Sequence, residues 1–226
     1  MTDDGVLDVD APDGSLPAGR FTVWLGEITS AMRGTGESDV PCGSCTACCE
    51  AAQFVHVGPD EADALAHIPA ALLFPAPGLP KGHRLMGYDE RGRCPMLVEG
   101  RCSIYSHRPR TCRTYDCRVF AAADVADDDP SKARVAARAR RWVFDEPLAD
   151  DIARHGAVRA AATFLAAYGD RLPADLAPVT ATQRAVLAVE VHEAFLDSDG
   201  LDPDGVNPVP VLRRVRREVM AEEAQS

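Results

Sequence analysis

Cysteine is the residue whose spacing in this chain is suited to chemistry, and its eight copies fall in two blocks of four. Cys42, Cys45, Cys48 and Cys49 lie within eight residues, and Cys94, Cys102, Cys112 and Cys117 lie within a later stretch of 24. A thiolate is a nucleophile and a soft metal ligand. Cysteines separated by two residues can turn their sulfurs towards one centre, either a tetrahedral zinc ion or an iron–sulfur cluster. The two blocks call for a joint explanation, in which distant segments fold back and their sulfurs converge on bound metal.

Cys42, Cys45 and Cys48 make two such steps in succession, the spacing of the first three ligands in the bacterial ferredoxin run. In that run the remaining ligand precedes a proline, as Cys94 precedes Pro95 here. The comparison favours a cubane 4Fe–4S cluster with three local ligands and one remote one, although zinc can use the same thiolates. Cys49 departs from the run. Adjacent side chains do not ordinarily point at one small ion, so Cys48 and Cys49 read as ligands of different centres, or of different metals in one polynuclear centre. Eight cysteines can fill two four-thiolate sites, or six can bind while two stay structural or redox-active. A plainer reading makes Cys49 a small buried residue.

Six arginines, Arg93, Arg101, Arg108, Arg110, Arg113 and Arg118, surround the second block. Guanidinium groups offset the negative charge that several thiolates leave around a metal, and ordinary surface positions explain them equally well. Arg108 and Arg113 flank Cys112 closely and are the preferred candidates for contact with a bound cofactor. His56 and His107 are candidate ligands or acid–base groups, with a structural histidine as the simpler reading of each. Tyr105 and Tyr115 are expected to pack near the centre.

These residues need a scaffold that turns often. Residues 1–18, rich in Asp, Gly and Pro, read as a flexible acidic tail. Phe21 to Met32 is apolar enough to dock, with helix and strand readings in competition and Trp24 and Leu25 as anchors. Residues 53–57 read as a short strand, and a helix is expected from Pro59 to about Phe74. Two short strands follow, at 84–88 and 95–98, and the turn around Arg108 and Pro109 should start a helical turn carrying Cys112. Beyond Val119 helices are expected near 131–146, 151–168, 177–196 and 208–222, the later ones with apolar faces at helical spacing. The Asp-rich run from Asp197 to Gly205 lacks acids at the terminal ligand positions of a calcium loop and reads as a solvated turn. The predicted fold class is α+β: a turn-rich cysteine module with short strands over residues 19–122, then a mainly helical region over 131–224 packing on it.

Composition narrows the function. With 46% hydrophobic and 26% charged residues the chain resembles an ordinary folded protein. A net charge of -11 argues against general or sequence-specific nucleic-acid binding, which needs cations to neutralise phosphate. The acidic N-terminus and the absence of a long apolar run predict neither a secretory signal nor a membrane span. The expected location is therefore cytoplasmic, where thiols more often bind metal or do chemistry than form disulfides. Disulfide pairing is the alternative if that location is wrong.

The combined pattern of Cys42-x2-Cys45-x2-Cys48-Cys49, Cys94-Pro-Met-Leu, Cys102-Ser-Ile-Tyr and His107-Arg-Pro-Arg-Thr-Cys112-Arg-x-Tyr-x-Cys117 resembles the YkgJ-type CxxCxxCC family of zinc- or iron-chelating proteins. The resemblance spans Pro41 to Arg118 and leaves the helical region outside it. A more distant resemblance links the same stretch to the cysteine-rich region of flagellin lysine methylases, which implies an iron–sulfur centre. Both imply all eight cysteines as the metal-ligand set. The expected function is a cysteine-ligated iron–sulfur centre in electron transfer or redox sensing. Alternatives are a structural or catalytic zinc protein, and a metal-dependent protein-modifying enzyme such as a lysine methyltransferase. No glycine-rich nucleotide motif supports the last. A basic face with Lys132, Arg134, Arg138 and Arg141 offers a surface for an acidic protein partner, or simply a solvated helix face.

Overall fold

The structure is a computed structural model that describes residues 14–36, 38, 40, 44–174, 176–196, 210, 213 and 217. It has the α+β character expected, with short strands and turns before a mainly helical C-terminal part. The chain divides into two compact units. The described residues of Glu37–Asp116 and Asp128–Arg138 form the first, and those of Asp10–Gly36, Cys117–Asp127 and Ala139–Ser226 form the second.

In the second unit, β1 (Leu16–Arg20) pairs in parallel with β7 (Trp142–Asp145), Leu16 opposite Trp142 and Arg20 opposite Asp145. Both strands correct sequence expectations. The flexible tail was expected to reach residue 18, and residues 142–146 were placed in a helix. Each strand is four or five residues long and is held by the other, a non-local pairing that no local pattern announces. Phe21–Met32 resolves as helix α1, burying Phe21, Trp24, Leu25, Ile28 and Ala31 on one face. Phe21, Trp24, Phe144 and His155 form one aromatic cluster, with the Phe21 and His155 rings stacked at 4.2 Å. The helices α4 (Arg118–Ala123), α6 (Ala149–Tyr168) and α7 (Ala181–Val191) pack on one another. Small residues at Ala122, Ala161, Ala185 and Ala188 allow their backbones to approach closely. Thr180 and Gln183 cap α7 reciprocally, each side chain bonding the other's amide. The helix expected near 208–222 and the Asp197–Gly205 run lie largely outside the described residues.

The first unit holds a three-stranded antiparallel sheet in which β4 (Arg84–Met86) sits between β2 (Val55–Val57) and β3 (Leu73–Pro75). The long helix expected from Pro59 to Phe74 is shorter. Helix α2 spans Ala62–His67, and Ile68 is already extended, at φ -94° and ψ 124°. Pro69 explains the stop, because its ring disfavours helical backbone in the preceding residue. A 3-10 turn at Ala70–Leu72 then leads into β3. Val55, Val57, Ala64, Ile68, Met86, Met96 and Ile104 form the unit's apolar core. Among the described residues, no helix is long and apolar enough to cross a membrane.

Candidate metal centre

The described cysteines of the first unit sit in short helices, a short strand and loops. Cys48 and Cys49 lie in the 3-10 helix Ala47–Glu50. The Cys94 amide donates to the Cys49 carbonyl at 2.7 Å, and the Ala52 amide donates to Gly92 at 2.8 Å, so the two cysteine blocks run side by side. The loop before Cys94 is shaped by Asp89, whose Oδ1 accepts the amides of Arg91 and Arg93, both at 2.9 Å. Strands β5 (Leu97–Val98) and β6 (Arg101–Cys102) form a hairpin that places Cys102 opposite Leu97. Its two turn residues, Glu99 and Gly100, both have positive φ, the backbone of a type I′ turn.

Cys112 rides on α3 (Arg110–Thr114), which is fixed from both sides. Glu61, itself buried, accepts the Gly58 amide at 2.7 Å and also the Arg110 amide at the helix start. The Thr111 hydroxyl donates to the His56 carbonyl on β2 at 2.8 Å. Cys94, Cys102 and Cys112 pack, partly buried, against the apolar core.

Electrostatics links five of these thiols. The Cys49 thiol hydrogen-bonds to Cys48, which outweighs burial and, helped by nearby amides and the Arg108 charge, brings Cys48 down to about 7. The same bond holds the proton on Cys49, and burial and the charges of Cys48, Cys94 and Cys102 push it further up. Burial raises Cys94, and Cys102 and Cys48 add to the rise. Burial followed by the charges of Cys48, Cys94 and Cys102 pushes Cys112 up to about 12, with Arg108 opposing. Cys49, Cys94 and Cys112 thus resist ionisation partly because their neighbours would also be anions. A metal cation relieves that repulsion and can draw the protons off. Among the described residues, no three cysteine sulfurs lie within 4.8 Å of one another. They are not gathered at the spacing of one ion's ligands.

The remaining cysteines are placed differently. Cys45 accepts the Ala47 amide at 3.5 Å. Cys117 belongs to the second unit, where it precedes α4 and its sulfur accepts the Trp142 indole N–H at 3.2 Å. Cys42 lies outside the described residues.

Of the two selected arginines, Arg108 favours the thiolate at Cys48 and Cys112, while its guanidinium lies 3.7 Å from the centroid of the exposed Tyr105 ring. The charge of Arg113 acts on Asp63. The other flanking arginines include Arg93, paired with Asp89, Arg110, paired with Asp60, and Arg118, buried in the second unit and bonded to the Ala18 carbonyl. His56 Nε2 pairs with His83 Nδ1 at 2.9 Å, and His107 Nδ1 pairs with Asp63 at 2.9 Å. In the basic run, Arg134 bridges to Glu50 at 2.9 Å and Arg141 donates to the Gly14 carbonyl. Sequence reasoning did not single out Glu61 or Trp142. Glu61 was legible only as an acid in a first turn, and no local signal pairs Trp142 with a cysteine.

Residues 41–132 match the CxxCxxCC family. The family is described as a "putative zinc- or iron-chelating domain", and the match covers about two-fifths of the chain. It agrees with the YkgJ-type resemblance carried by the cysteine motifs. The matched CxxCxxCC stretch includes all eight cysteines and supports a general zinc- or iron-chelating role. No curated protein and no solved structure matches the chain.

Proposed function

We propose that the CxxCxxCC domain holds an iron–sulfur centre used in electron transfer or redox sensing. The observation that carries this reading is the ferredoxin-like spacing of Cys42, Cys45 and Cys48 with Cys94 before Pro95, supported by the electrostatic coupling of Cys48, Cys49, Cys94, Cys102 and Cys112 in one unit. A single tetrahedral zinc ion uses four thiolates. A 4Fe–4S cluster also takes four, and the ferredoxin-like spacing of Cys42, Cys45 and Cys48, with Cys94 before Pro95, is what favours the cluster. The adjacent pair Cys48 and Cys49 then serves different metal atoms, or one of the two stays protonated beside the cluster.

Within this reading Arg108 lowers the cost of the negative cluster and helps set its potential. Electron exchange also implies a protein partner that supplies or accepts the electron.

Anaerobic purification followed by iron, zinc and acid-labile sulfide analysis tests the proposal. Iron and sulfide in similar amounts, with a visible absorption band that bleaches on reduction, are expected. Tightly held zinc without iron or sulfide would replace the iron–sulfur reading with the zinc one.

A further inference from the structure

A second group of metal-ligating side chains lies on the first unit, and none of its members is a cysteine. Asp63 and His67 stand four residues apart on α2 and so share one helix face. His107 reaches the same place from the 3-10 turn Tyr105–His107. One ligand atom from each of the three lies within 4.8 Å of the other two. His107 Nδ1 is 2.9 Å from Asp63 Oδ2, and His67 Nδ1 is 3.5 Å from Asp63 Oδ1. The two imidazole rings are stacked, with centroids 3.5 Å apart and planes 4° from parallel.

The backbone beneath the group is held by the core. Ala64 on α2, Ile68 just after it, and Ile104, just before the 3-10 turn, all belong to the same buried cluster. The His107 amide closes its turn on the Ile104 carbonyl at 2.8 Å. The side chains themselves are open to solvent: His67 and His107 are 41% and 38% exposed and Asp63 is 67% exposed. An ion can reach them, and the rings have room to tilt.

We propose that Asp63, His67 and His107 form a site for a borderline divalent cation such as Zn2+, separate from the cysteine centre. Two imidazoles and a carboxylate are a donor set for zinc and its neighbours rather than for calcium or magnesium, which prefer all-oxygen sites. Three protein ligands leave a position for water, so the ion is exchangeable rather than locked. In the stacked arrangement the nitrogen lone pairs lie in two nearly parallel planes and cannot all point at one ion between them. Binding therefore opens the stack, releases His67 Nδ1 from its 2.8 Å contact with the Asp63 carbonyl, and displaces the protons shared with the carboxylate. The charge of Arg113, which also acts on Asp63, works against the cation and keeps this site weaker than a thiolate centre. The inference does not depend on which metal the cysteines hold.

The test is calorimetric titration of Zn2+ into the full chain, with the metal already present measured before and after. One additional equivalent is expected, and H67A or H107A should each weaken it by at least about tenfold. The double variant should lose it while keeping the original metal content, and H83A should retain it. In parallel, the carbon-bound imidazole proton signals of His67 and His107 should move on Zn2+ addition to the unaltered protein. An extra equivalent that survives in the double variant, the absence of any extra equivalent, or unmoved signals from these two histidines would each overturn the proposal.

Discussion

The amide of Cys94 donates to the carbonyl of Cys49 at 2.7 Å, so one main-chain bond fixes two residues 45 positions apart and from different cysteine blocks. A second bond, from Ala52 to Gly92, closes the same ladder. Gly92 can serve there because its φ is +73°, and a Cβ on it would meet the Ala52 Cβ at 3.1 Å. The Gly92→Val variant should therefore destabilise the first unit by about 1–2 kcal/mol from left-handed strain alone. The contact with Ala52 should add to that. Urea denaturation, with metal content measured after dialysis, checks this. Full stability together with full metal retention would show that the ladder is not what aligns the two blocks.

The Cys48–Cys49 pair yields a prediction for the metal-free protein. Cys48 ionises near pH 7, whereas Cys49 and Cys94 are raised and Cys112 lies at about 12. Because the thiolate is the reactive form, alkylation of Cys48 should rise as pH increases through about 7 and should outpace the other three at neutral pH. Replacing Cys49 with Ala removes the hydrogen-bond donor and should move the Cys48 midpoint upwards. Iodoacetamide labelling read by peptide mass spectrometry measures both effects. A midpoint unchanged in Cys49→Ala would rule out the thiol hydrogen bond as its cause.

The structure also shows which features of the chain were readable beforehand. Helices α6 and α7 were visible because Phe164, Leu165, Leu187 and Val191 recur at helical spacing, and all four are buried. The module's turns were announced by Glu99-Gly100 and by the Pro-rich stretches. Strands β1 and β7 were hidden because each is short and its partner lies more than 120 residues away. The alanine and arginine run before β7 has a helical composition, which carried the expected helix past the actual end of α5 (Ala133–Ala139). The cysteines were readable as candidate ligands. Their placement was not, because Cys117 goes to the second unit with Trp142, a relationship made only by the fold.

Glu61 provides a separate test of how Cys112 is positioned. Its carboxylate accepts the amides of Gly58 and Arg110, joining the turn after β2 to the first residue of α3. Truncation in Glu61→Ala leaves both amides without this acceptor, at about 1–3 kcal/mol for each one that stays buried and unsatisfied. Lower stability in urea and faster alkylation of Cys112 in the metal-free protein are the expected outcomes. Glu61→Gln, which keeps an acceptor oxygen, should recover part of the loss. Unchanged Cys112 labelling in Glu61→Ala would mean that Thr111 and the surrounding packing suffice to hold α3.

In the second unit the corresponding anchor is Asp151, whose side chain is fully buried. Burial by itself would raise its pKa. Hydrogen bonds from the Thr22 hydroxyl and amide, Arg20 and the Leu148 amide more than reverse this and bring it down to about 2. An unfolded aspartate titrates near 3.9, about two units higher, so folding favours the ionised form. That contribution is fully present above about pH 4 and disappears as pH falls through about 2. Thermal melts followed by the fluorescence of Trp24 and Trp142 should therefore show a falling Tm across this interval. Asp151→Asn removes the ionisable group, so it should melt lower at neutral pH, and the gap from the unaltered protein should narrow as the solution is acidified. A gap that stays constant from pH 5 to about pH 2 would place the acid sensitivity of the unit on other carboxylates.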